Sequence, residues 1–319
     1  MLAFLLLLAG LALLTLGGEV LIRGASVIAR LAGLSPAVIG LTVVAMGTSL
    51  PELAVCLLAA LRGEPDIAVG NVIGSNIFNV TAALGLTAMV ATLPVRGNAI
   101  RLEWPVMFVA SLACAVLMRD SVIDRFEASF LVVSLVLFTA FSIWIGRREV
   151  TRVEQQEFKE ALEDRTLPPR RHEGLLATAA VVVGAGFLVV GGRFLVDGAV
   201  GLARMAGMSE RLIGLTVVAA GTGMPEVAAS LVAALRKQTD VAIANIIGSC
   251  VFNLLGILGL TALVQPIRFS PELAGSDVWW MLGTSLLLLL FLRSGMRIVA
   301  WEGALMVALY VAYLYFLIR

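Results

Sequence analysis

The sequence is poor in charge, histidine and cysteine. Only 14% of its 319 residues are Asp, Glu, Lys or Arg, against 60% that are hydrophobic, and the mean hydropathy is +1.00. That leaves too little polar surface to coat the two water-soluble cores this length would otherwise suggest. With 23 basic and 22 acidic residues the net charge is +1, which excludes bulk attraction to nucleic acid. The single histidine, His172, closes a charged stretch and cannot build a metal site alone. Cys56, Cys114 and Cys250 all lie in apolar sequence and, being three, cannot form a fully paired disulfide set. They read as small packing residues. HExxH, Walker and nucleophile–base patterns are missing, so no enzyme is expected.

What the chain has in abundance is long apolar runs. Residues 1–16, 129–145 and 303–318 approach or reach the ~20 helical residues that cross a bilayer core. The expected class is an all-α polytopic membrane protein. The first run lacks the basic start of a signal peptide and reads as a spanning helix.

Self-comparison gives the organisation. Residues 40–85 align without a gap on 214–259, an offset of 174, with 26 of 46 positions identical. The chain is therefore a duplication. The expected spans are 2–30, 36–62, 66–92, 104–118 and 122–146, then 174–204, 210–236, 240–265, 275–293 and 297–318. The implied units are a first five-span repeat (1–146, motif region 40–85), a hydrophilic linker (147–173), and a second repeat (174–319, motif region 214–259). Five is odd, so the second copy must sit upside down: ten helices in two inverted repeats. Placing the linker in the cytoplasm puts about 15 of the 23 basic residues inside, which leaves both termini outside.

Polar groups within spans are costly, so each needs a reason. Gly47-Thr48-Ser49-Leu50-Pro51-Glu52 and Gly221-Thr222-Gly223-Met224-Pro225-Glu226 fall mid-span. Pro51 and Pro225 lack an amide hydrogen and clash with the carbonyls of Gly47 and Gly221, so each span should break there. Free carbonyls are expected around residues 45–47 and 219–221. Glu52 follows Thr48 by one turn, and Glu226 follows Thr222, which places hydroxyl and carboxylate on one face. The next span adds Asn71, Ser75 and Asn79 at i, i+4, i+8, repeated as Asn245, Ser249 and Asn253. A pseudo-twofold axis then gathers two carboxylates and neutral oxygens near the midplane, a hard-ligand set suited to calcium or sodium. A mere kink with Asn and Ser as interhelical glue is the bland alternative, and two symmetric mid-span glutamates argue against it. Asp66 and Asp240 read as N-caps, Glu19 and Arg23 as an i,i+4 ion pair, and Trp104, Trp144, Trp279 and Trp280 as an interfacial belt.

These paired G-T-[SG]-x-P-E and G-[ST]-N-like segments resemble the α-repeats of the cation/calcium exchanger superfamily, in its prokaryotic sodium/calcium antiporter branch. The resemblance covers nearly the whole chain. It implies alternating access, electrogenic exchange of calcium for sodium at one central site, and residence in the bacterial inner (plasma) membrane. By position, Glu52 and Glu226 would be the main ion ligands, with Thr48 and Thr222 beside them and backbone carbonyls from Ala45 and Ala219. Ser49, Ser75, Ser249, Asn79 and Asn253 would complete the flanking sites, and the first and sixth spans would form a sliding pair. Gly223 stands where the first repeat has serine, and Asn253 where some members carry aspartate, so sodium stoichiometry and potassium use stay open. The expected partners are small inorganic cations and the lipid bilayer, with no resident cofactor and no obligatory protein partner. Proton-coupled calcium exchange uses the same residues. A passive cation channel is the reading from another class, and facing repeats within one chain favour rocking over a permanent pore.

Overall fold

Apolar residues continuous over 20 or more positions leave the backbone no water to bond with, so the chain satisfies itself helically. The computed structural model describes residues 2–32, 34, 36–63, 65–96, 99–148, 172–205, 219–271 and 273–318. In chain order the helices are α1 (Leu2–Ala32), α2 (Ala37–Thr48), α3 (Leu50–Leu61), α4 (Pro65–Val90) and α5 (Ala99–Asp120). Then follow α6 (Arg125–Arg148), α7 (Glu173–Met205), α8 (Ala219–Thr222), α9 (Met224–Leu235) and α10 (Thr239–Val264). The last two are α11 (273–293) and α12 (Ala300–Ile318).

Among the described residues eight helices are long and apolar enough to cross a membrane, and nine if α2 and α3, bent by 44°, form one span. The expected span 210–236 is described only from Ala219 onward, and the linker only at its ends. The protein is a predominantly helical, polytopic membrane protein. Its α4 and α10 are 78% and 94% buried, whereas α6 and α12 are 22% buried and face outward. The polar stripes therefore ride on the two helices most enclosed by protein.

The inverted relation of the halves shows in contacts that sequence periodicity does not display. Four two-residue strands form two antiparallel ladders: β1 (Leu93–Pro94) with β4 (Arg297–Ile298), and β2 (Val122–Ile123) with β3 (Ile267–Arg268). Each ladder joins one half to the other. Asp66 accepts the Ser270 amide at 2.8 Å, and Asp240 pairs with Arg96 at 2.8 Å. Residues 66 and 240 are counterparts at the 174-residue offset, as are 96 and 270, so the two contacts are one contact repeated. The N-cap reading of both aspartates is thereby corrected. Gln238, not Asp240, stands at the N-terminal boundary of α10, without a side-chain capping bond, and the carboxylates tie the repeats together.

Helices α1 and α7 touch backbone to backbone. A methyl on Gly17 would lie 2.9 Å from the Gly184 carbonyl oxygen, on Gly24 2.7 Å from that of Ala177, and on Gly191 2.9 Å from the Leu14 nitrogen. Only glycine permits that approach. The Glu19–Arg23 pair is present (Nε to Oε1, 2.8 Å), and Arg236 after α9 also grips Glu19, its Nε donating to Oε2 at 2.7 Å. All three cysteines are buried free thiols. The four tryptophans differ in their surroundings. Trp144 and Trp279 are exposed, whereas Trp104 turns inward and donates its Nε1 hydrogen to the Ser285 carbonyl at 2.7 Å, and Trp280 packs on Tyr313.

Candidate functional site: a buried carboxylate pair

The proline-induced break is sharper than expected. The helix stays wound through Thr48, breaks at Ser49 (φ −83°, ψ 8°), and restarts at Leu50 with Pro51 in the first turn. Gly223 takes the same conformation (φ −82°, ψ 0°) ahead of Pro225. The carbonyl of Ala45 is not free, since it accepts from the Ser49 amide at 3.1 Å and the Thr48 hydroxyl at 3.2 Å. Proline removes only one amide donor, and the single break at Ser49 absorbs the clash, so residues 45–48 need not unwind. Ala219 opens α8. Gly47 and Gly221 are buried, Gly47 against Leu21 of α1 and Ala185 of α7.

A restarted helix places Glu52 and Glu226 in first turns, where the helix dipole favours negative charge. Both are completely enclosed, at 1% and 0% exposure. The bonds that set them run between the repeats. Ser49 donates its hydroxyl to Glu226 Oε1 at 2.9 Å. The Thr48 hydroxyl lies 3.4 Å from that of Ser249 and 3.5 Å from Asn245 Oδ1. Thr48 and Ser249 also face Glu226, and Thr222 faces Glu52.

Ser75, Asn79, Ser249 and Asn253 are buried with them. Among the described residues both carboxyl oxygens of Glu52, Oε2 of Glu226, the Ser75 hydroxyl, Oδ1 of Asn79, and Oδ1 and Nδ2 of Asn253 have no partner in hydrogen-bond geometry. Each orphaned buried polar group costs about 1–3 kcal/mol, and more when charged. The orphaned atoms sit on the two proline-break glutamates and on the polar stripes that follow them in each repeat. Among the described residues no three His, Cys, Asp or Glu side chains converge, so two carboxylates and neutral oxygens are the available donors.

Sequence reasoning passed over two positioning pairs and a backbone feature. Asn71 donates to Cys56 Sγ at 3.3 Å and to the Glu52 carbonyl at 3.5 Å. Asn245 donates to the Ser230 hydroxyl at 2.8 Å and the Glu226 carbonyl at 3.5 Å. These asparagines of the stripe hold the glutamate-bearing helices in register. Their counterparts Cys56 and Ser230 occupy the same repeat position, the one signal that was available. The backbone feature is π-helical widening at residues 79–83 and again at 252–257, beginning at or beside Asn79 and Asn253. Such widened turns frequently accompany functional sites.

Residues 2–144 and 176–319 match the sodium/calcium exchanger protein family. The chain belongs to that family. CaxA of Alkalimonas amylolytica is 37% identical over 99% of this chain and 98% of its own length. The inner membrane protein YrbG of Escherichia coli K12 is 33% identical over 90% of this chain and 87% of its own. The solved sodium-calcium exchanger NCX_Mj, in crystals soaked with sodium, superposes with a TM-score of 0.81 at 29% identity, covering 98% of this chain and 97% of that one. As a member of this family the protein is a transmembrane cation antiporter.

Proposed function

We propose that this exchanger moves calcium against sodium by alternating access at the Glu52–Glu226 site. The observation that carries the reading is the set of unpartnered polar atoms on two fully enclosed carboxylates and the neighbouring stripes. Empty, that site leaves uncompensated charge in a low dielectric and resists crossing. Filled by a divalent ion or by monovalent ions, it is neutralised and can cross, which couples one flux to the other. Glu52, Glu226, Thr48 and Thr222 form the centre, and Ser49, Ser75, Ser249, Asn79 and Asn253 the flanks. Ala45 and Ala219 add their carbonyls on the family pattern, Ala45 after its present bonds loosen. NCX_Mj is described as a sodium-calcium exchanger, which supports these ions for the present chain.

The functional units are the two five-span repeats, 1–146 and 174–319, joined by the linker 147–173. The glycine-lined contact of α1 with α7 suits a pair that moves as one body across the remainder. YrbG is named as an inner membrane protein, and residence in the bacterial inner membrane, with both termini outside and the linker cytoplasmic, is the matching placement here. No protein partner or resident cofactor enters the mechanism.

The deciding experiment is radiolabelled calcium uptake into proteoliposomes holding an outward sodium gradient. Uptake should require sodium inside, and Glu52→Gln or Glu226→Gln should abolish it. Uptake that instead follows a pH gradient in sodium-free buffer would assign proton coupling. Conductance at channel rates without any gradient coupling would reject exchange altogether.

A further inference from the structure

The two repeats build the same helices but do not pack them alike. A methyl on Gly18 would lie 3.2 Å from Cγ2 of Val232 and 3.3 Å from the Ala228 carbonyl oxygen, so α1 lies directly against α9. At the 174-residue offset the counterpart of Gly18 is Gly192 of α7, and those of Ala228 and Val232 are Ala54 and Leu58 of α3. Among the described residues that mirrored contact is not made. The atoms nearest a methyl on Gly192 belong to Pro225 and Gly221, at 3.5 and 3.7 Å. Ala54 and Leu58 are both exposed, Leu58 by 52%. Helix α1 is seated on α9, whereas α7 is not seated on α3.

Polar groups fasten the seated side. Arg236 donates its Nε hydrogen to Glu19 Oε2 at 2.7 Å, and Glu19 also accepts from Arg23 on its own helix. One or two turns along α1, the Ser26 hydroxyl, which bonds to the Ile22 carbonyl at 2.7 Å, lies 3.2 Å from Gln238 Oε1. Between them, Gly24 approaches the Ala177 carbonyl near the start of α7. The fastening therefore sits toward the face from which the linker enters α7. Arg236 follows the end of α9 as Arg62 follows the end of α3.

The inverted copy has no chemistry for the same fastening. In place of Glu19 it carries Arg193, in place of Arg236 it carries Arg62, and in place of Ser26 it carries Val200. Two guanidinium groups repel where a carboxylate and a guanidinium attract, and valine has no hydroxyl. Asp197 replaces Arg23 and stands one helical turn beyond the position that would meet Arg62.

We infer that the Glu19–Arg236 ion pair, backed by Ser26 and Gln238, is a one-sided latch that holds α1 on α9 and closes the linker face of the carrier. Without a counterpart between α7 and α3, it biases the protein toward the state in which α3 is uncovered. The other state seats α7 on Ala54 and Leu58. The inference rests on the alternating access of the proposed exchange.

The test measures half-saturating calcium separately on each face, in proteoliposomes of known orientation with saturating sodium on the opposite side. An ion that enters from one face binds with an apparent constant raised by the scarcity of the state open to that face. Arg236→Gln should therefore lower half-saturating calcium on the linker face relative to the other, changing their ratio by about two- to fivefold, as for a partly exposed ion pair. The exchanged pair Glu19→Arg/Arg236→Glu should return the ratio to that of the unmodified protein. Arg193→Glu, at an exposed position, supplies Arg62 with the missing partner and should move the ratio in the same direction as Arg236→Gln. A ratio unchanged in Arg236→Gln, or two constants that rise together, would overturn the latch while leaving exchange intact. If Arg236→Gln does not fold, an unchanged ratio in Arg193→Glu overturns it. Absence of sodium-driven flux in the unmodified protein would refute the exchange reading and the latch with it.

Discussion

Replacing Gly184 with alanine should force α1 and α7 apart. The added methyl would lie 2.5 Å from the Leu21 nitrogen and 2.7 Å from its Cα and Cβ. Carbon contacts settle near 3.5 Å, so the helices must separate by roughly 1 Å. The obstructing atoms are chiefly backbone, and Leu21 is fully buried, so no side-chain rotation relieves the clash. Overpacking of this kind costs ~1–3 kcal/mol. Gly186, two residues along the same helix, has nothing within 4 Å of its would-be Cβ, and alanine there should be neutral or stabilising by up to ~1 kcal/mol. Heating the purified proteins in detergent and following the monodisperse fraction by size exclusion compares the two directly. At ~2–4 °C per kcal/mol, Gly184→Ala should lower the midpoint by roughly 2–12 °C, and Gly186→Ala should not lower it. Equal midpoints would refute the claim that backbone contact through glycine joins these helices.

Two further outcomes follow from the same geometry. Ser49→Ala removes the donor to Glu226; a hydrogen bond to a charged group contributes ~1.5–3 kcal/mol, so the sodium needed for half-maximal calcium uptake should rise tenfold or more. An unchanged sodium dependence would separate Ser49 from the site. Arg236→Glu sets like charges against Glu19 and should loosen α1 from the end of α9, while the swap Glu19→Arg/Arg236→Glu should restore the contact. The pair is about one-third exposed on each side, so the effect on transport rate should stay within about fivefold, as for a partly solvated ion pair, and a swap no better than the single variant would argue against the contact.

Much of the molecule could be read from the chain in one dimension. Spans announce themselves through length and hydropathy, the duplication through direct identity, and the glutamates through the expense of a carboxylate in lipid. The paired prolines located both helix breaks to within two residues, though not their form. Whether a backbone unwinds over three residues or kinks at one depends on neighbours that absorb the strain, here the single residue Ser49, and leaves no pattern in the sequence. Asp66 and Asp240 were misread for a similar reason. An aspartate near a helix start looks like a cap until a partner from the other half competes for it, as Ser270 and Arg96 do.

Composition and repetition alone settle that this chain lives in a membrane, that it is two copies of one unit, and that each copy contributes one acid at a proline break. These are local properties, set by transfer free energy and backbone chemistry residue by residue. Only the tertiary structure decides that Ser49 reaches the acid of the opposite copy, that Thr48 meets Ser249, and that Phe78 stands in the place of a missing hydroxymethyl. Those facts arise from the docking of two related halves, in which each of these contacts joins residues roughly 150–200 positions apart.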